Sequence, residues 1–181
     1  FRWSARDGDF LSAGAAMPLG ALAGVAWRHS LSGVGFGVAI PASFGGAVRM
    51  NAGAHGGSIA EIAESVECFI LDTGETKRIP ATEAGFVYRG SSLPGIVVAA
   101  TLRLAPGSQE GIRREMDDVR EWRRANQPLA EPNCGSVFRN PPGDHAARMI
   151  EDAGLKGLAV GGASVSQKHA NFIVASAGTT A

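Results

Sequence analysis

A hydroxyl, a cation and an amide fall within one short segment, Gly135-Ser136-Val137-Phe138-Arg139-Asn140-Pro141. A glycine opens it and a proline closes it, so it reads as a turn that faces a ligand, although an ordinary surface turn has the same composition. No Gly-x-Ser-x-Gly elbow surrounds Ser136, which makes a hydrolase triad a poor reading and a proton-donating hydroxyl a better one. A neutral serine is a weak acid. It can act only on a strongly basic carbanion held close by, and this narrows the chemistry to something like the reduction of an activated alkene, with Arg139 and Asn140 on polar parts of the substrate. A second arginine and serine stand together in Phe86-Val87-Tyr88-Arg89-Gly90-Ser91. A guanidinium there suits a carboxylate or enolate, and a plain surface arginine is the alternative.

The stretch from Ile40 to Gly57 carries glycines at 45, 46, 53, 56 and 57. Glycines adopt backbone angles closed to other residues and let successive amides approach an anion, so the stretch reads as a loop that holds a diphosphate by backbone and hydroxyl groups. Pro41 stiffens its entry, and Ser43 and Asn51 offer side-chain hydrogen bonds. It contains no G-x-G-x-x-G and no Walker lysine, and a purely structural glycine-rich loop stays open as an alternative. His29 and His145 read as solvent-facing helix residues and His55 falls in the glycine loop, while His169 has polar neighbours in Ser164-Val165-Ser166-Gln167-Lys168-His169-Ala170-Asn171. Three such glycine-punctuated polar sites suggest a cofactor and a substrate.

Elements must hold these groups in place. Residues 13 to 29 are predicted as a helix with Pro18 in its first turn and Leu19, Leu22, Val25 and Ala26 on one side. Strands are predicted at 66–71 and 77–79, joined by a turn at Asp72-Thr73-Gly74-Glu75, and again at 97–104 and 171–175. Ser108 caps a helix over 109–125 that carries Ile112, Met116, Val119 and Trp122 on one stripe and a solvated charged face opposite. Asp144 caps another helix that stops at Gly154. The pattern is α+β, without the regular alternation of a doubly wound sheet, and a domain boundary is expected between 105 and 106.

Composition sets bounds. With 181 residues, 45% of them hydrophobic, the chain can bury a genuine core. Seventeen basic residues balance seventeen acidic ones, so no global field gathers nucleic acid or an anionic membrane. No run approaches the roughly 20 apolar residues of a membrane span. The two cysteines form no framework and show no zinc spacing, which points to a reducing, cytoplasmic setting without a structural metal.

Taken in order, the segments resemble one family, the UDP-N-acetylenolpyruvoylglucosamine reductases. Leu31 to Phe36, Ile40-Pro41, Gly45-Gly46-Ala47 and Met50-Asn51-Ala52-Gly53-Ala54 look like its flavin-binding stretch. Tyr88-Arg89, Gln127-Pro128-Leu129, the Gly135 to Pro141 segment, Gly154-Leu155-Lys156-Gly157 and Val165 to Phe172 continue the likeness, which covers residues 7 to 178. The short path from the 97–104 strand into the 109–125 helix resembles the family's compact second type. The resemblance implies the second part of a PCMH-type FAD-binding domain over 1–105, then an α/β substrate-binding domain over 106–181. It implies a flavoenzyme of peptidoglycan precursor synthesis, a monomer acting on a UDP-sugar enolpyruvyl ether with FAD and NADPH. Arg89 matches the family's catalytic arginine and Ser136 its proton donor. Pro41, Ser43, Gly45, Gly46, Asn51 and Gly53 would lie along FAD, and Tyr88, Arg124, Arg139, Asn140 and His169 near the substrate.

Where the family usually reads Gly-Ile-Pro-Gly, this chain has Ala39-Ile40-Pro41-Ala42, and two added methyl groups would crowd a backbone that should approach flavin closely. A first flavin subdomain is expected before Phe1 and a catalytic glutamate after Ala181, so the 181-residue chain alone is expected to be inactive. The competing readings are another flavin oxidoreductase of the same cofactor-binding fold, such as an alcohol oxidase, and an inactive sugar-nucleotide-binding fragment.

Overall fold

The computed structural model describes residues 1–180, and contact density divides them into two units, 1–120 and 121 onward. The first unit runs β1 (Ser4–Asp7), β2 (Phe10–Gly14), α1 (Leu19–Arg28), β3 (Leu31–Ser32), a 3-10 turn at Gly35–Ala39, α2 (Phe44–Arg49), β4 (Gly53–Ala54), β5 (Gly57–Ser58) and α3 (Ile59–Ile62). It continues through β6 (Ala63–Ile70), β7 (Glu75–Pro80), β8 (Ile96–Arg103) and β9 (Ala105–Pro106) into α4 (Gln109–Asn126). The second unit holds the end of α4, β10 (Asn133–Ser136), α5 (Ala146–Asp152), β11 (Ala159–Val160), β12 (Ala163–Val165) and β13 (Phe172–Ala175).

Five antiparallel strands in the order β1-β2-β8-β6-β7 make the first unit's main sheet. Central β8 buries Val97, Ala99, Ala100 and Leu102, and β6 beside it buries Val66 and Cys68. The expected 66–71 and 77–79 hairpin is present as β6 and β7, each longer than predicted, with Cys68 opposite Lys77. Helices α1 and α2 supply the rest of the core, chiefly Leu19, Leu22, Phe44 and Val48. At roughly 2 kcal/mol for each fully buried large side chain, this cluster is the unit's principal stabilisation.

The predicted helix over 13–29 begins later. Ala13 and Gly14 belong to β2, where Ala13 follows Leu11 into the core at a spacing of two and faces Ala100. Gly14 is required there, because a methyl group would collide with the Phe1 carbonyl. Pro18 is extended and precedes the helix as its cap, not its first turn. The helix over 109–125 is α4, and Ser108 Oγ accepts from the Gly111 amide at 3.0 Å as expected. The two units divide within α4, fifteen residues beyond the expected boundary, because Ile112 and Met116 pack into the first unit's core.

The second unit is built on a four-stranded antiparallel sheet, β10-β13-β12-β11. Its buried residues are few and include Ala146, Ala170, Phe172 and Val174. The strand predicted at 171–175 is β13. Among the described residues no helix is long and apolar enough to cross a membrane.

Candidate functional site

In the first unit, the stretch read as a loop contains a helix. Ser43 is extended and its Oγ accepts from the Gly46 amide at 3.2 Å, which starts α2 straight through Gly45 and Gly46. The amides expected to form an anion nest are already used: Phe44 donates to the Met17 carbonyl at 2.7 Å, Gly45 to Ala15 at 2.9 Å, and Ala47 to Ser43 at 2.9 Å. Gly45 and Gly46 are needed for closeness and not for unusual angles. A methyl group on Gly45 would stand 2.6 Å from Ala15 Cβ, and neither glycine has positive φ. The amides from Phe44 to Ala47 are thus spent on the frame of the first unit.

What the helix builds instead is a cleft. Ala15, Ser43, Gly45, Gly46, Arg49 and Gly95 line an open hollow of ≈ 330 Å³. A second hollow of ≈ 450 Å³, lined by Arg2, Pro18, Ile40, Pro41, Ala42 and Ser43, shares Ser43 with the first. Four of the expected cofactor residues, Pro41, Ser43, Gly45 and Gly46, are brought together here. Small residues bring the wall close to backbone, and two arginines supply cations, which suits a flat ring system carrying phosphate. Ala42, half-buried against the core, lines the second hollow, so the added methyl does border the cleft. Gly53 and Asn51 line neither hollow. Gly53 sits in the β4-β5 hairpin, where a methyl group would meet the Gly57 carbonyl at 2.8 Å.

Arg89 sits on a tight turn closed by paired hydrogen bonds between Val87 and Gly90, at 3.0 and 3.2 Å. Its φ is +56°, a left-handed conformation that costs a side-chain-bearing residue about 1 kcal/mol or more. The guanidinium carbon lies 5.7 Å from the centroid of the exposed Tyr88 ring. A strained, charged residue at a turn tip marks a place where position outweighs local stability.

In the second unit, Ser136 is the exposed last residue of β10, opposite Phe172, so the expected turn starts within a strand. Gly135 before it has φ of +80°, and its amide donates to Asn133 Oδ1 at 2.9 Å. The segment beyond Ser136 is clasped by Asn171, a buried residue that sequence reasoning missed as a site residue. Asn171 Oδ1 accepts from the Phe138 amide at 2.8 Å, its Nδ2 donates to the Phe138 carbonyl at 2.9 Å, and its own carbonyl accepts from Val137 at 2.9 Å. An asparagine at the mouth of a buried strand was the only signal. Arg139 is exposed, as is Arg124, whose main-chain carbonyl accepts from Lys168 Nζ.

Asn140 does local work. Its Oδ1 accepts from the Ala146 amide at 3.1 Å and its Nδ2 lies 3.3 Å from His145 Nδ1. It thus serves the start of α5 in the place predicted for Asp144. Asp144 instead accepts from the His145 amide at 2.6 Å and pairs with Arg148. That guanidinium first, and the amide second, hold its carboxyl at about 2. His145 precedes α5 and His29 follows α1, both exposed, so neither is within its helix. His169 is half-buried, and burial pushes its pKa below the usual histidine value. Its ring meets Phe172 edge-on at 4.7 Å, and its Nδ1 accepts from the Asn171 amide at 3.2 Å, which supports the clasp.

Residues 127–181 match the family of the UDP-N-acetylenolpyruvoylglucosamine reductase C-terminal domain. The chain is 48% identical over 179 residues to the UDP-N-acetylenolpyruvoylglucosamine reductase of Heliobacterium modesticaldum, covering 97% of this chain and 57% of that protein. It is 44% identical over 178 residues to the reductase of the same name from Streptococcus pneumoniae, covering 97% and 59%. The crystal structure of UDP-N-acetylenolpyruvylglucosamine reductase from Thermus caldophilus superposes with a TM-score of 0.83 at 42% identity, over 91% of this chain and 61% of that one. The chain therefore spans somewhat less than three fifths of the curated relatives it matches.

Proposed function

We propose that this chain, which belongs to the UDP-N-acetylenolpyruvoylglucosamine reductase family, carries the reacting groups for reduction of a UDP-N-acetylglucosamine enolpyruvyl ether to UDP-N-acetylmuramate. The observation that carries the reading is its likeness to a named reductase along 97% of its length, both units included. The cleft of small residues in the first unit is the FAD site, and the second unit serves the sugar nucleotide. NADPH is the reductant, and the chemistry FAD supplies when bound is to accept its hydride and deliver it to the β carbon of the ether.

Hydride arrival at the β carbon leaves an electron pair on the α carbon, spread into the adjoining carboxylate. Arg89 stabilises that developing charge, and its strained turn fits a guanidinium set in advance of the reaction. Ser136 Oγ gives its proton to the α carbon, and solvent restores the hydroxyl. Net, one hydride and one proton are added across the double bond and NADPH becomes NADP⁺. Tyr88, Arg124 and Arg139 lie along the substrate, with Asn140 and His169 supporting the segments that meet it. A nucleotide-sugar substrate and NADPH place the reaction in the cytoplasm, and it requires no partner chain.

The full-length protein, given FAD, should oxidise NADPH only when the enolpyruvyl ether is present and yield a product heavier by two hydrogens. In deuterium oxide the product should carry a solvent deuteron at the α carbon. NADPH oxidation that is indifferent to the ether, or that passes electrons to oxygen with an alcohol as donor, would overturn the reading.

A further inference from the structure

The end of α2 grips the Arg89 turn from both sides. On one side Asn51, itself at φ of +45°, donates from Nδ2 to the Val87 carbonyl at 3.2 Å, while its Oδ1 accepts from the Ala60 amide at 2.9 Å. On the other side the Arg49 guanidinium donates to the carbonyls of Leu93 and Gly95, and Ser91 Oγ donates to the Arg49 carbonyl at 2.8 Å. Val87 and Ser91 bracket Tyr88, Arg89 and Gly90. Arg49 also lines the first hollow together with Gly45 and Gly46 of its own helix. The six-residue helix and the two residues after it thus form a cleft wall and fix both flanks of a strained turn.

We infer that Arg49 and Asn51 are positioning residues for Arg89, setting where its guanidinium stands relative to the cleft. This rests on the proposed function for its catalytic meaning, but the clamp itself does not. A planar guanidinium can satisfy two carbonyls at once, whereas a lysine ammonium at the same site reaches one well. The Asn51 amide needs both its donor and its acceptor, so Asn51→Asp keeps the Ala60 bond and loses the Val87 bond.

Two measurements test the inference. In the 181-residue chain, hydrogen exchange at the Val87 and Gly90 amides should quicken by about tenfold in Arg49→Lys and in Asn51→Asp, the change expected from losing a bond of about 1.4 kcal/mol. Unchanged protection there overturns the clamp, whatever the protein catalyses. In the full-length protein, Arg49→Lys should slow oxidation of the reduced flavin by the ether by up to about 100-fold, the scale of a displacement near 1 Å, and by clearly more than it slows NADPH-driven flavin reduction. In an Arg89→Ala background the same change should add nothing, since residues acting through one group are not additive. Equal slowing of both half-reactions, or an additive loss, overturns the positioning role. Absence of any ether-dependent turnover in the unaltered protein would instead count against the proposed function and leave the exchange result to judge the clamp.

Discussion

Asn171 is the residue whose removal should most clearly separate a held second unit from a loose one. It is 3% exposed, and its amide makes two hydrogen bonds to the Phe138 peptide, at 2.8 and 2.9 Å, copying the pairing of a neighbouring strand where β10 has ended. At about 1 kcal/mol for each bond, Asn171→Ala should lower stability by about 2 kcal/mol. Asn171→Asp makes a finer test. Its carboxylate still accepts from the Phe138 amide but opposes the Phe138 carbonyl, so its folded pKa should stand above the ordinary aspartate value. A group with a raised folded pKa binds protons more readily when folded, so the loss caused by Asn171→Asp should be largest near neutrality and shrink as pH falls. Urea denaturation of the 181-residue chain, with exchange at the Phe138 amide as the local probe, measures both effects. A loss under about 0.5 kcal/mol for Asn171→Ala, the range of an ordinary surface change, would refute the reasoning, as would a pH-independent loss for Asn171→Asp.

Other substitutions test other parts of the account. Gly45→Ala drives a methyl to 2.6 Å from Ala15 Cβ and should cost about 1–3 kcal/mol, read as a lower urea midpoint with unchanged slope. Arg89→Gly and Arg89→Ala both remove the guanidinium, but only glycine accepts a φ of +56° freely, so the glycine variant should be the more stable by about 1 kcal/mol in thermal unfolding. If the two are equally stable, the strain ascribed to the turn is absent. Asp144 is held at about 2 against an ordinary 3.8, so the unfolded chain takes up a proton first as pH drops. Its contribution is present above 3.8 and fades as pH falls toward 2, and Asp144→Asn should flatten stability over that interval.

Where local pattern and tertiary need agree, the chain could be read directly. The apolar stripe of α4, capped by Ser108, holds for Ile112, Met116 and Val119 but not for the exposed Trp122, and the β6-β7 hairpin around Gly74 appears close to where turn chemistry puts it. The order of polar segments from Pro41 to Phe172 was likewise enough to indicate the family, because it is a linear property of the chain. Local pattern failed where a distant partner decides. Gly45 and Gly46 have poor helix propensity, yet α2 runs through them from its cap Ser43, and at Gly45 the neighbouring Ala15 leaves no room for a side chain. Ala13 is a strong helix former, yet it and Gly14 pair with β8 from far along the chain. Arg49, Asn51 and Asn171 look like ordinary polar residues in sequence. Their roles come from backbone carbonyls and amides that only folding brings within reach, at Leu93, Val87 and Phe138. Residue types and their order thus determined the chemistry available to this protein. The tertiary structure decided which polar groups are consumed in holding the frame, because a hydrogen bond depends on separation in space and sequence records only separation along the chain.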